Sequence, residues 1–428
     1  MQRRDFLRYS LFSAALLFPL SNFARFQKSM QPKIVICGGG YAGLSVAHYL
    51  KELNNYLDIT IIEKNRRFVS CPFSNAYLGE VQDITLSSLT FSYKDAIKKN
   101  KCRFINEEIY EINRDKKEVY TKYQNISYDI LIMAVGIDYN YEALFNNEKT
   151  IKEVMSKAPA GLKPPFEHEQ LKGMIETFTK GNFIITVPNG SYKCPPAPYE
   201  RACMIAHYFQ THGIEGKVII LDPREQPAAK PKQFLEVFNT LYKNTIEYHG
   251  LTNLKDINFK IKEVYVESFD KKNFDYVDKT VPFEQANIIP PNKANELIKQ
   301  AKLELNDHGF AKLKPPTFQS SIDDDVYILG DAQGEYPFPK SAQMANSCAL
   351  NVANEIVSRL YNLPYSLKEN MPGNICYSLV SDTKAVSIMH TYTYDKKPTV
   401  SSFVSAIDEG TALSAKNWYE GLTAELFK

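Results

Sequence analysis

Lys33-Ile34-Val35-Ile36-Cys37-Gly38-Gly39-Gly40-Tyr41-Ala42-Gly43 is the stretch that decides the fold. Lys33 to Cys37 is a short apolar run and reads as a buried parallel strand, since such strands are covered on both faces and show no alternation. The glycines follow at once. Gly38, Gly40 and Gly43 allow a tight turn and a close backbone approach to a pyrophosphate at a helix N-terminus. A helix is expected from Leu44 to about Leu53. Ile59 to Ile62 reads as the next strand and ends at Glu63, an acid placed to accept hydrogen bonds from an adenosine ribose. A glycine triplet alone says little; strand, glycine loop, helix, strand and acid in this order specify a dinucleotide-binding unit.

Other segments extend this unit. Arg103 to Tyr123 alternates around the turn signal Asn113–Lys117 and reads as a small antiparallel excursion. Tyr128 to Val135 is a strand that ends at Gly136, which returns the chain to the dinucleotide. Asn182 to Val187 opens a second α/β unit, with a helix from about Tyr199 to Thr211 and a strand from Lys217 to Leu221. Residues 246–282 read as mostly antiparallel strands. Val326 to Leu329 is a further buried strand, and Asp331 behind it can bind a ribityl hydroxyl, which points to a flavin dinucleotide. Ser341 to Leu360 reads as a long helix rich in small residues, and Pro364 and Pro372 open a distinct tail.

The second α/β unit lacks glycines where a nucleotide loop would need them. Lys193-Cys194-Pro195-Pro196-Ala197-Pro198-Tyr199-Glu200 stands there instead. The exchange argues against electrons arriving from a nicotinamide and for a thiol or disulfide beside a flavin. Cys194 falls between a strand and a helix, where the helix dipole stabilises a thiolate. The three prolines fix φ and stiffen the turn. Glu200 lies in the first helical turn, as a complement to the dipole or as a proton acceptor.

Composition sets the outer limits. The 428 residues, 44% hydrophobic and 23% charged, suit two or three globular domains. A net charge of +2 offers no case for nucleic acid. Arg3-Arg4-Asp5-Phe6-Leu7-Arg8, followed by apolar Leu11 to Leu20, reads as a twin-arginine export signal over residues 1–29, hence a periplasmic protein. That apolar run is shorter than the about 20 residues a membrane span needs, and no later segment is a candidate span. The seven cysteines form no C-x-x-C pair, against zinc and against a thioredoxin-like motif, and no C-x-x-C-H, so no c-type haem is carried by this chain. Cys71 lies in the loop leaving the second strand, as a packing cysteine, a catalytic thiol or a flavin attachment point. Cys37, Cys102 and Cys348 read as core or incidental, and Cys203, a rival partner for Cys194, falls about two and a half helical turns further on, too far for a disulfide.

Four motifs occur in order: the glycine loop, Phe68-Val69-Ser70-Cys71-Pro72-Phe73-Ser74-Asn75, Cys194-Pro195-Pro196-Ala197-Pro198-Tyr199-Glu200-Arg201, and Gly330-Asp331-Ala332 running to Pro339-Lys340-Ser341. Together they closely resemble the flavoprotein subunit of flavocytochrome c sulfide dehydrogenase. The resemblance implies a glutathione-reductase-like α/β fold with two Rossmann-like domains. A FAD domain would take residues 30–150 and 286–360, a second dinucleotide-like domain 151–285, and a C-terminal α+β interface domain 361–428. It further implies FAD bound covalently through Cys71 and a redox-active disulfide between Cys194 and Cys376. Hydrosulfide would open that disulfide and leave as polysulfide or zero-valent sulfur. The electrons would pass through FAD to a separate c-type cytochrome. Lys340, at the mouth of the last long helix, would stabilise charge on reduced flavin or stand solvated.

Three other readings compete. A sulfide:quinone oxidoreductase would want a C-terminal pair of amphipathic apolar helices, and the tail has only Trp418, Leu422 and Leu426 at helical spacing. An NAD(P)H-dependent disulfide or persulfide reductase would want the second glycine fingerprint. A flavin-carrying electron-transfer or sulfur-carrier subunit would show little sulfide activity of its own.

Overall fold

The structure is a computed structural model that describes residues 31–334 and 337–428. The expected export signal lies outside the described residues. Two parallel sheets organise the chain. The first has six strands in the order Gln319–Ser320, Asp323–Ile328, Ile130–Met133, Lys33–Cys37, Asp58–Ile62 and Arg103–Ile105. All its pairs are parallel except the short edge pair. Ile34, Ile36, Leu131, Ile132 and Ile328 are wholly buried, as β-branched and aliphatic side chains covered on both faces should be. The Tyr41–Leu53 and Ala342–Tyr361 helices pack together on this sheet.

The second sheet orders Ile246–His249, Glu215–Leu221, Lys180–Thr186 and Gln285–Asn287, all parallel. The 15-residue Ala197–Thr211 helix covers it with Ala202, Cys203, Met204 and Ile205 fully buried. A three-stranded antiparallel sheet, Thr252–Asn258, Glu263–Asp270 and Asp275–Pro282, leans on its edge. Between the two units, Ile137–Tyr139 pairs antiparallel with Asn292–Ala294 and clasps the chain where it leaves and re-enters the first unit.

Three expectations shift. The first helix starts at Tyr41, three residues early, because Gly40 serves as its N-cap. Arg103–Ile105 joins the main parallel sheet, and only the strands from Ile109 to Ser127 are antiparallel. Ile246–His249 likewise pairs parallel with its neighbour. In both cases the strand is too short to show whether its partner runs with it or against it.

The tail forms an antiparallel sheet, Asn374–Leu379, Ala385–Tyr394 and Pro398–Val404, followed by the Glu409–Phe427 helix. That helix folds back onto the first unit. Phe427 packs on Phe91 and Phe68 with ring centroids 4.6 and 5.0 Å apart. Leu422 and Leu426 are buried. No helix among the described residues is long and apolar enough to cross a membrane.

Candidate active site

A cavity of about 410 Å³ lies where the two units and the tail meet. Its wall contains Gly38, Gly40, Glu63, Cys71, Gly136, Cys194, Glu200, Asp331, Lys340 and Cys376. Gly43 is the one expected cofactor residue that does not face it. A methyl group on Gly43 would stand 1.9 Å from the Gly38 carbonyl oxygen, so Gly43 lets the helix seat against the loop.

The dinucleotide half follows from the glycine loop. Gly38 has φ +105°, a backbone shape that side chains resist, and a methyl there would strike the Ala134 carbonyl oxygen at 2.4 Å. Gly39 N–H donates to Glu63 Oε2 at 2.8 Å, while Asn65 donates to Glu63 Oε1 from its backbone N and Nδ2. The acid is thereby held against the loop. The Tyr41–Leu53 helix begins without a side-chain cap or a first-turn acid, which leaves its N–H groups and positive dipole end for an anion. Methyl groups built on Gly40 and Gly136 would meet nothing within 4 Å. This cradle, with Glu63 at one end and Asp331 at the other, fits FAD.

The sulfur half is built by three segments. Cys194 adopts φ +54°, a left-handed conformation costing a non-glycine residue about 1 kcal/mol. Its N–H donates to the Lys340 carbonyl oxygen at 2.9 Å and its own carbonyl accepts from Ala197 N at 2.8 Å, so the turn is tied down on both sides. Cys376 comes from the Asn374–Leu379 strand, with Asn374 Nδ2 3.8 Å from its Sγ. Ser341 Oγ donates to Asn374 Oδ1 at 2.6 Å, which fixes that amide. Cys71 precedes the Ser74–Gly79 helix, beside Phe73 at φ +66°, and its Sγ lies 3.9 Å from the Leu162 carbonyl oxygen. All seven cysteines are thiols in this structure.

Burial dominates the electrostatics. It pushes the Cys194 thiol well above the ordinary value, and Cys376, Cys71 and Glu200 push the same way. The helix N-terminus expected to favour a thiolate is outweighed. Burial also raises the Glu200 carboxyl, although Leu379 N donates to its Oε1 at 3.0 Å and Asn75 Nδ2 to its Oε2 at 3.2 Å. Lys340 is not solvated. It is buried, its Nζ sits 3.6 Å from the Phe310 ring centroid and donates to the Gln333 carbonyl, and burial lowers its pKa to about 8. Lys193 Nζ lies 3.6 Å from Asp331 Oδ2, across the cavity wall.

Two cations escaped the sequence reading. Arg201, adjacent to Glu200, is 1% exposed. It donates to Asn75 Oδ1, Asn287 Oδ1 and the Ala160 and Gly161 carbonyls, holding the Gly161–Leu162 loop beside Cys71. Its place in the Cys194 motif was the available signal. Lys230 is also 1% exposed, in a Lys-Pro-Lys run that reads as surface. Cys37, Cys102 and Cys348 are buried in the cores, and so is Cys203.

The second unit closes its own nucleotide position. Asp222, just after the Glu215–Leu221 strand, stands where a ribose-binding acid would, and it is completely buried. The Tyr199 and Tyr248 hydroxyls donate to its Oδ2 at 2.6 and 3.0 Å, and Arg224 N donates to its Oδ1 at 2.9 Å.

Comparison with known proteins agrees with this layout. The profile described as pyridine nucleotide-disulphide oxidoreductase matches residues 32–157. "Sulfide dehydrogenase [flavocytochrome c] flavoprotein chain, central" matches 168–290. "Flavocytochrome c sulphide dehydrogenase, flavin-binding" matches 370–427. The mitochondrial sulfide:quinone oxidoreductase of Dictyostelium discoideum is 26% identical over 348 residues, 78% of this chain and 73% of that protein. In fold, the sulfide:quinone oxidoreductase of Aquifex aeolicus matches with TM-score 0.76 at 18% identity, over 92% of this chain and 91% of that one. A NAD-dependent persulfide reductase from A. fulgidus matches with TM-score 0.63 at 16% identity, over 90% of this chain and 66% of that one. The chain is thus a FAD-dependent oxidoreductase of the sulfide-oxidising flavoprotein family, carrying the central and flavin-binding domains of flavocytochrome c sulfide dehydrogenase behind a pyridine nucleotide-disulphide oxidoreductase domain.

Proposed function

We propose that this protein is a periplasmic sulfide dehydrogenase flavoprotein, which oxidises hydrosulfide through Cys194 and Cys376 and passes the electrons to a c-type cytochrome. One observation carries the reading: Cys71, Cys194 and Cys376 share the wall of the cavity that the glycine loop opens. In the oxidised protein Cys194 and Cys376 form a disulfide. Hydrosulfide attacks one sulfur, an S–S bond forms to the incoming sulfur, and the original S–S bond breaks to release a thiolate. FAD, attached through Cys71, supplies a two-electron acceptor able to give electrons up singly.

The chain's own residues prepare this chemistry. Gly38 and Gly40 admit the dinucleotide backbone, Glu63 takes its ribose, and Asp331 its ribityl chain. Glu200, buried, held by two donors and coupled to both Cys194 and Cys376, is a carboxylate able to accept a proton from a thiol. Lys340 places a positive charge at the cavity wall.

Two rivals lose ground. A nicotinamide donor finds the Asp222 position filled by Tyr199, Tyr248 and Arg224. A quinone acceptor in a membrane remains the second reading, favoured by the Dictyostelium discoideum relative. Against it, the final helix spends Leu422 and Leu426 on the protein's own core, leaving Leu413 as its exposed large apolar side chain.

The test is an anaerobic sulfide titration of the flavin spectrum, paired with acid precipitation. Bleaching by sulfide, colour retained in the precipitate and re-oxidation by cytochrome c in preference to a quinone support the proposal. Bleaching by NADH alone removes it.

A further inference from the structure

Lys230 has no role in the reading so far, yet its burial is costly. Only 1% of it is exposed, and among the described residues it forms no ion pair, although the buried Glu200 carboxylate is close enough to favour its charge. A buried ammonium without an ion-pair partner is retained at a penalty that an apolar residue of similar size would not incur. Its own backbone is in the left-handed region, φ +52°, at the cap of the Pro231–Asn239 helix.

The side chain is aimed at the tail sheet. Lys230 Nζ donates to Ser378 Oγ at 2.8 Å and lies 3.4 Å from the Val386 carbonyl oxygen. Ser378 is two residues beyond Cys376 on the Asn374–Leu379 strand. Strand side chains alternate, so Asn374, Cys376 and Ser378 share one face, and the ammonium is on that face. The Ala197–Thr211 helix packs on the same strand, with Glu200 Oε1 accepting from Leu379 N.

We propose that Lys230 is a positioning residue that holds negative charge on the Cys376 sulfur whenever the Cys194–Cys376 pair is open. This deepens the redox-pair reading and rests on it for its purpose. Opening the pair with hydrosulfide leaves one sulfur as a thiolate and the other bearing a persulfide, and either anionic form at Cys376 meets the ammonium. The other titratable groups facing this sulfur are Glu200 and Cys194 from the cysteine helix and its turn; His390, across from Asn374 on the neighbouring strand, contacts the Asn374 amide and is coupled to Lys230 rather than to the sulfur. Lys193 is engaged with Asp331 instead. Lys230 is therefore the amine placed to answer an anion at this sulfur. Burial favours its neutral amine, while an anion at Cys376 foremost, and then Glu200 and Cys194, favour the ammonium, so an anion at Cys376 and charge on Lys230 reinforce each other.

The holoprotein, reduced with dithiothreitol and kept anaerobic, is alkylated with iodoacetamide across a pH series, and the Cys376 peptide is quantified by mass spectrometry. Lys230→Met should raise the half-rate pH of Cys376 by about one unit or more and slow labelling at neutral pH about tenfold, with the limiting rate at high pH unchanged. An unchanged half-rate pH overturns the proposal. Cys203, fully buried, reports folding in the same digest. If it becomes labelled in Lys230→Met, Ser378→Ala decides the matter, since it frees the ammonium from its anchor: a raised half-rate pH supports the proposal and an unchanged one overturns it. No sulfide is present, so a negative sulfide titration leaves this result to be read on its own.

Discussion

The Tyr199 hydroxyl reaches Asp222 Oδ2 over 2.6 Å in the interior of the second unit, where neither side chain is exposed. A nucleotide would have to break this contact before it could offer a ribose. NADH and NADPH are therefore expected to leave the flavin spectrum unchanged. Tyr199→Phe should cost roughly 1.5–3 kcal/mol, the range for a hydrogen bond to a charged group, read as a lower urea midpoint.

Gly40 and Gly43 should separate cofactor contact from packing. Gly40→Ala adds a methyl in open space at the cavity wall, so folding stability should hold while flavin retention falls. Gly43→Ala drives a methyl into the Gly38 backbone, which cannot swing away as a side chain could. A loss of at least about 3 kcal/mol, or no folded protein, is expected. Urea unfolding and bound-flavin absorbance, measured on both variants, check the contrast.

Glu200 gives a signed pH dependence. Burial raises its carboxyl in the folded state above the unfolded value of about 4.3. Below that value both states hold the proton and nothing is lost. As pH rises through the folded value the unfolded state ionises more readily, and stability falls. Glu200→Gln should remove this loss. Its urea midpoint relative to wild type should improve between acid and neutral pH, and a constant difference would show that the carboxyl does not titrate as described. If Glu200 also accepts a proton in turnover, the variant flattens the acid limb of the rate profile.

Cys71→Ser should leave the fold in place, because the hydrogen bond its side chain makes among the described residues is a long, weak one, 3.9 Å to the Leu162 carbonyl. The flavin should then wash off on acid precipitation. Colour remaining in the pellet would exclude Cys71 as the attachment point.

Phe427→Ala should be expensive, about 3–5 kcal/mol, because that ring fills the space between Phe68 and Phe91. Leu413→Ala, on an exposed position of the same helix, should be neutral within about 0.5 kcal/mol. Thermal or urea unfolding distinguishes them.

The α/β class and the dinucleotide unit were legible because their signals are local. The glycines, the following helix and Glu63 lie within one short stretch, each needed for a stated physical reason. Cys194 was legible because prolines and a cysteine are conspicuous where glycines belong. Cys376 was not readable from its surroundings: a cysteine in an ordinary strand gains meaning only when the tail sheet carries it to the cavity. Lys230 was hidden for the same reason, since a lysine in a Lys-Pro-Lys run looks solvated until the neighbouring strands cover it. Short strands such as Arg103–Ile105 concealed their direction, which is set by partners far away in the chain.

The clasp between Ile137–Tyr139 and Asn292–Ala294 has a consequence for how the chain reaches this state. Val326 must find Leu131 to complete the main sheet, across about 200 residues of intervening chain, an entropic cost that grows with the logarithm of the loop. A central unit that folded first would bring Ile137 beside Ala294 and leave only a short segment to be closed. The redox-pair turn would then be assembled before the cavity that receives it, so that Cys194 waits, unpaired, for the strand that brings Cys376. If Cys194 and Cys376 pair as proposed, the sulfur centre would on this route be completed late, although its first cysteine is laid down early.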